Sequence, residues 1–197
     1  MERRQVAWVE TVDERDAAGN VAAAYARVAG PDGRVENLYK AMSLTPAVIG
    51  PADDHYRALL HDPSSPLAPW LSELLATYVA ILCGSRYARV NHGRNFAVCF
   101  GDHKQSERIL EALTQGKLET AGLEADALEA LAFTRKLSLA PQTVCREDVE
   151  RLRAAGFDDT AVSYIAQIAA SFAYWARITL ALGIVLDEGI EPTGSAS

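Results

Sequence analysis

Thiols in a working arrangement are the first thing this sequence lacks. Its three cysteines, Cys83, Cys99 and Cys145, are odd in number and form neither a CxxC pair nor a zinc-type spacing. That argues against a disulfide framework or a structural metal and fits reduced intracellular thiols. A basic block is also missing: 26 acidic residues outnumber 19 basic ones, the net charge is −7, and the two signs are interspersed. Binding to a nucleic-acid backbone therefore has little electrostatic support. No charge-free apolar run reaches the roughly 18 residues of a membrane span, and residues 1–10 lack the apolar core of a secretory signal. The expectation is a soluble, cytoplasmic protein with no nucleic-acid or membrane partner. There is no glycine-rich phosphate loop and no serine-hydrolase elbow. Nor is there a convincing run of alternating strands, so the class is all-α.

The chain does contain enough apolar material for a real core. With 197 residues, 49% of them hydrophobic, it fits one domain, 1–190, followed by a disordered tail over 191–197. A short extended piece is expected at Val6–Val9 and a helix from near Val21 through Val28, stopped by Gly30-Pro31-Asp32-Gly33. Short helical periodicity covers Asn37–Met42, and another helix follows Pro46 and ends at the loop His61–Pro66. From Pro69, Trp70, Leu71, Leu74, Leu75, Tyr78, Val79, Ile81 and Leu82 are apolar over more than half the helical circumference, which marks a buried helix. Gly84 ends it, Ser85 is an N-cap, and a second helix runs to Phe100 before Gly101-Asp102. These two form a helical hairpin. Further helices are expected over Gln105–Thr114, Ala125–Leu139, Glu147–Ala155 and Asp159 to about Leu186, the last rich in small residues suited to close packing.

Chemistry concentrates in the hairpin. Ser85, Ala88 and His92 fall on one stripe of the second helix, and Cys99 continues it roughly 10 Å beyond His92. Glu73 lies on the preceding helix within reach of that stripe. A carboxylate beside an imidazole forms an acid-base pair in which the acid orients the ring and stabilises the imidazolium. The same residues also read as a first-turn helix acid and a partly buried histidine bonded to backbone. Tyr78 and Tyr87 offer phenols to a cleft or packing to a core. His55 and His61 read as exposed, and His103 as following a helix end, where the dipole favours a partly positive ring. Cys145 precedes a helix.

With these residues in view, the chain resembles the carboxymuconolactone decarboxylase and alkylhydroperoxidase D (AhpD-like) superfamily, in particular its peroxidase-related branch. That branch reads RELIATVVSxLNGCxYCVxAH, and Ser72–His92 reads SELLATYVAILCGSRYARVNH without a gap. Val35–Ala41 is similar to the branch's PNVFRAL, Glu147–Phe157 to its EDVExLRAAGF, and Leu182–Gly189 to its C-terminal end. The resemblance implies an AhpD-like helical fold built around the central hairpin, assembled as a homo-oligomer (dimer, trimer or hexamer). It places Glu73 and His92 at the proton-relay positions, with Ser85 and Ala88 where the family carries its two redox cysteines. Serine cannot form the disulfide and alanine has no chemistry, so the dithiol cycle has no basis here. On the last helix, Phe172-Ala-Tyr-Trp-Ala-Arg177 stands where the branch has FNxxNR.

Three functions follow from that pattern. The first is a thiol-independent acid-base enzyme acting on a small carbonyl or lactone acid, as the superfamily's decarboxylases do. In it, His92 moves the proton, Glu73 orients it, Tyr87 and Ser85 line the site, and Arg89, Arg94 or Arg177 anchors an anionic group. The second is an alkylhydroperoxidase using Cys83 as a displaced thiol, whose sulfenic acid an external thiol reduces. The third is a non-catalytic binding or scaffold protein. A small-molecule substrate is expected, with no cofactor and no metal.

Overall fold

The structure is a computed structural model that describes residues 5–189, so the tail expected over 191–197 lies outside the described residues. Among the described residues it is all-α. Its helices are α1 (Gly19–Val28), α2 (Asn37–Ala41), α3 (Pro46–Leu60), α4 (Pro69–Cys83), α5 (Arg86–Phe100), α6 (His103–Thr114), α7 (Ala125–Leu139), α8 (Arg146–Ala154) and α9 (Asp159–Ala181). Short 3-10 turns at Glu14–Asp16, Leu118–Thr120 and Pro141–Thr143 have no counterpart in the sequence reading.

The central hairpin is set by adjacent stop and start signals. Pro69 opens α4, where its missing N–H costs nothing, and Gly84 ends it in the left-handed region at φ 75°. The next residue, Ser85, caps α5, its Oγ accepting from the Ala88 backbone N–H at 3.2 Å. Such a cap contributes about 1 kcal/mol. With only Gly84 and Ser85 between them, α4 and α5 fold directly back on one another.

Helix α4 is the centre of the molecule. Its residues from Leu71 through Ala80 are all buried, because α5, α7 and α9 cover different faces of it, with α3 and α6 at its edges. One contiguous core draws side chains from every helix, among them Ile49, Leu74, Phe96, Ile109, Leu131, Leu152, Ile165 and Phe172. A smaller cluster joins Ala7, Ala41, Tyr87 and Ile184.

Two helix boundaries and one segment differ from the sequence reading. Asp102 caps α6 by accepting from the Gln105 N–H at 3.0 Å. His103 therefore starts a helix rather than trailing one, and its ring is paired with Glu107 at 3.6 Å, not with a helix C-terminus. Helix α9 stops at Ala181, short of Leu186, because Gly183 adopts φ 58° and the Trp8 ring lies where any Cβ at Gly183 would stand. The Val6–Val9 piece is no strand. It makes isolated backbone bonds, from Trp8 N–H to the Leu182 carbonyl at 2.7 Å and from Val185 N–H to the Val6 carbonyl at 3.1 Å. No helix among the described residues is long and apolar enough to cross a membrane.

Helices α7 and α8 are tied by Asp148. Its carboxylate accepts from Lys136 Nζ at 2.6 Å and from the Cys145 backbone N–H at 2.8 Å, and it also pairs with Arg151. The side chain has no accessible surface, yet it lies close to solvent under the tips of Lys136 and Arg151 rather than deep in the core. Lys136 beside it holds its carboxyl far below the usual carboxylate range. A depressed folded-state pKa adds stability above the unfolded value near 4, and that stability is lost as pH falls toward the folded value. Asp148→Asn should therefore lower Tm at pH 7, with the gap to wild type narrowing below about pH 4; a pH series of thermal melts checks this. Leu74→Ala, in the fully buried centre of α4, should cost about 2–5 kcal/mol in urea unfolding.

Candidate functional site

The acid on α4 and the imidazole on α5 meet. His92 Nδ1 lies 2.8 Å from Glu73 Oε2, and Asn95 Nδ2 donates to Glu73 Oε1 at 3.3 Å. Glu73 is in the first half of a helix buried on all sides, so only its partners on α5 make its burial tolerable. The His92 and Asn95 spacing, one helical turn, delivers one donor to each carboxylate oxygen. With Nδ1 engaged, Nε2 remains for a ligand.

His92 lines a cavity of about 370 Å³. Aromatic rings form much of its wall: Phe172 meets the His92 ring edge-on with centroids 4.6 Å apart, and Tyr56 does so at 6.1 Å. Tyr39, Tyr87 and Trp175 complete that surface. Most of the polar groups are already occupied. Tyr39 donates to Asp53 Oδ1 at 2.7 Å, while Arg57 Nε donates to Asp53 Oδ2 at 2.6 Å. Tyr87 donates to Asp187 Oδ2 at 2.7 Å. The Tyr56 hydroxyl lies 3.2 Å from His61 Nε2.

Loss of water governs the titration of this wall. Burial pushes the Tyr56 phenol up, helped by the nearby Glu73 charge, and it pushes up Tyr39 and Tyr87, which also face Asp53 and Asp187. All three phenols stay protonated at neutral pH. Glu36, at the rim with one side in solvent, has its carboxyl raised by desolvation and by repulsion from Asp187. Glu36, Arg57 and Val28 also border a wider cavity of about 980 Å³. The charges of that second cavity are largely matched in pairs, as in Arg15–Asp13, Arg34–Asp32 and Lys40–Glu14.

The remaining sequence candidates fall in different places. Ser85 is buried as a helix cap, its Oγ 2.7 Å from Thr179 Oγ1, and it does not line the His92 cavity. Cys83 is also absent from that wall, and burial raises its thiol pKa, with Arg177 acting the other way. Cys99 is exposed, and partial desolvation of its sulfur together with the Glu73 charge raises its thiol pKa. Tyr78 is in the core, its hydroxyl 3.4 Å from Arg135. Of the three arginine anchors considered, Arg94 lines the cavity; Arg89 and Arg177 do not. No three His, Cys, Asp or Glu side chains among the described residues are grouped to hold a metal.

Sequence reasoning missed Asn95, Tyr56, Trp175 and the Tyr39–Asp53–Arg57 group. Asn95 was legible in principle, one turn from His92, as was Arg57, four residues after Asp53 on one helix face. Tyr56 and Trp175 reach the site from α3 and α9, and no local spacing announces that.

No protein-family model matches the sequence, and no curated protein matches it. Solved structures do. An AhpD-core, peroxidase-related protein from Ralstonia eutropha JMP134 is 18% identical, with a TM-score of 0.79 over 97% of this chain and 100% of that one. A peroxidase-related protein from Silicibacter sp. TM1040 is 20% identical, with a TM-score of 0.80 over 96% of each chain. The debrominase Bmp8 is 15% identical, with a TM-score of 0.70 over 95% of each chain. Across nearly its whole length, this chain has the helical fold of the AhpD-like, peroxidase-related proteins.

Proposed function

We propose that the His92 cavity is the active site of a thiol-independent acid-base enzyme that moves a proton on a small carbonyl or lactone acid. One observation carries this reading. The Glu73–His92 pair, 2.8 Å apart, opens onto an aromatic cavity of about 370 Å³ whose wall includes no cysteine.

Glu73 accepts the Nδ1 proton of His92 and so fixes the tautomer with a lone pair on Nε2. That lone pair takes a proton from the carbon next to the substrate carbonyl. The C–H electrons pass into the enolate, and the imidazolium is stabilised by the Glu73 carboxylate. The same imidazolium then returns the proton to carbon, at the original position or at a conjugated one. In the decarboxylation variant His92 starts as the imidazolium, its Nε2 proton taken up from solvent: the C–CO₂⁻ bond electrons form the enolate as CO₂ leaves, and that proton then passes from Nε2 to carbon. Arg94 at the rim provides the positive charge for a substrate carboxylate, and the aromatic wall excludes water, which strengthens each of these contacts.

The alternative of a displaced thiol finds less support. Peroxide reduction needs a thiolate next to the relay, whereas Cys83 lies off the cavity wall with its thiol pKa raised by burial. The fold also accepts small planar rings elsewhere, since a cysteine-to-alanine variant of the debrominase Bmp8 is solved in complex with 2,3,4-tribromopyrrole.

The test is solvent-deuterium exchange into a panel of keto and lactone acids, followed by NMR. His92→Ala should slow exchange by about 10²- to 10⁴-fold, the usual size of a lost general base, and Glu73→Gln should slow it by a smaller factor at unchanged fold. Exchange that persists in His92→Ala would remove His92 from the chemistry. Cys83→Ala should leave exchange unchanged. If that variant instead abolished a thiol-dependent turnover of an organic hydroperoxide, the displaced-thiol reading would replace this one.

A further inference from the structure

Asp53 is a buried carboxylate that the proton transfer at His92 does not use. It stands on α3, 4% exposed, and both its oxygens are taken: Oδ1 accepts from the Tyr39 hydroxyl at 2.7 Å and Oδ2 from Arg57 Nε at 2.6 Å. A buried charge needs such partners. The same bonds also hold Arg57 in place.

Arg57 gives Asp53 its Nε alone. Its Nη1 and Nη2 have no hydrogen-bond partner among the described residues. These atoms are reachable, because the Arg57 side chain is 58% exposed and borders both the His92 cavity and the wider cavity beside it. Val28 and Glu36 are the other residues common to the two walls, so Arg57 stands where the inner cavity adjoins the outer one.

A fixed direction separates this cation from the other on the wall. Arg94 also lines the His92 cavity, but it is exposed and no carboxylate among the described residues pairs with it. It supplies charge that draws an anion in from solvent, without a set orientation. In Arg57 the guanidinium plane is anchored through Nε, and a planar fork so held meets the two oxygens of a carboxylate with little further loss of side-chain entropy. Tyr39 acts at one remove: burial keeps its phenol protonated, so it donates steadily to the carboxylate that holds Arg57.

We infer that Arg57 is the anchor for the carboxylate of the ligand in the His92 cavity, gripping it through Nη1 and Nη2 where the two cavities adjoin, with Asp53 and Tyr39 as positioning residues behind it. This rests on the reading of that cavity as the site of a small carbonyl acid. It adds the way the acid lies, with its carboxylate at the outer border and its carbonyl end inward toward His92. Glu36 shares that border, and no cation among the described residues is paired with it. Its charge disfavours an acid held loosely at the mouth and so favours one seated on the guanidinium.

The probes are 4-acetylbenzoate and 4-acetylbenzamide, nearly equal in shape and different in charge, with binding read by calorimetry. Wild type should prefer the acid by about tenfold or more. Arg57→Gln should remove that preference and leave the amide within about threefold. Arg57→Lys keeps the charge and a partner for Asp53 but not the fork; it should also lose most of the preference, and it carries the test if Arg57→Gln fails to fold. Tyr39→Phe should weaken the acid about three- to tenfold with the amide unchanged, a split that general loss of packing does not produce. Arg94→Gln should weaken the acid less than Arg57→Gln does. Equal weakening of acid and amide, an acid preference that survives both Arg57 variants, a larger effect from Arg94→Gln, or no binding of either probe overturns the inference; an unchanged preference in Tyr39→Phe overturns the positioning role. None of these readouts requires turnover. An Arg57-dependent preference without deuterium exchange in any acid retires the proton-transfer reading alone, and His92-dependent exchange whose KM is unmoved by Arg57→Lys retires this one alone.

Discussion

Glu73 is a carboxylate in the most deeply packed helix of the molecule, and burying it is the demand around which the hairpin is organised. A charge removed from water is costly unless hydrogen-bonded partners replace the solvent. Here α5 supplies both partners, His92 and Asn95, one to each oxygen. That pairing fixes how α5 lies against α4, because sliding α5 by one residue would strand the acid in an apolar layer. The two-residue turn at Gly84 and Ser85 allows little such sliding, so turn chemistry and charge burial specify the same register. The acid-base pair is in this sense part of the framework as well as part of the site.

The surrounding cavity follows a simple division. Helices α2, α3, α5 and α9 each contribute aromatic side chains, and the Tyr39 and Tyr87 hydroxyls among them are bonded to buried or half-buried carboxylates. Desolvation then keeps the phenols protonated. Ser85 illustrates how a residue at a chemically suggestive position is absorbed by structure: its oxygen caps α5 and meets Thr179, with no capacity directed to the cavity.

The helices and the hairpin were legible in sequence because they depend on local rules. Proline and glycine boundaries, the Ser85 cap and the apolar circumference of α4 placed both hairpin helices closely, and the same rules gave α7. One misread boundary depended on a distant residue: α9 stops where Trp8 covers Gly183, and no spacing within α9 encodes that. The Glu73–His92 contact was visible because the two residues flank a tight turn. Tyr56 and Trp175 were hidden because their place in the wall is set by how α3 and α9 pack on the hairpin. The Gly101-Asp102 stop also made His103 read as following a helix end, whereas Asp102 acts as an N-cap and makes it the first residue of α6.

The backbone bonds between residues 6–8 and 182–185 carry a consequence for how the protein is made. The cavity wall includes Tyr87, whose hydroxyl is held by Asp187, and Asp187 also accepts from the Asn37 backbone N–H at 2.7 Å. These closures span nearly the whole described chain. A ribosome delivers residue 187 long after the hairpin has emerged, so during synthesis the α4–α5 unit can pack while this side of the pocket stays open. Closures of such long sequence separation are slow to form. This side of the cavity is thus completed only after residue 187 has been synthesised.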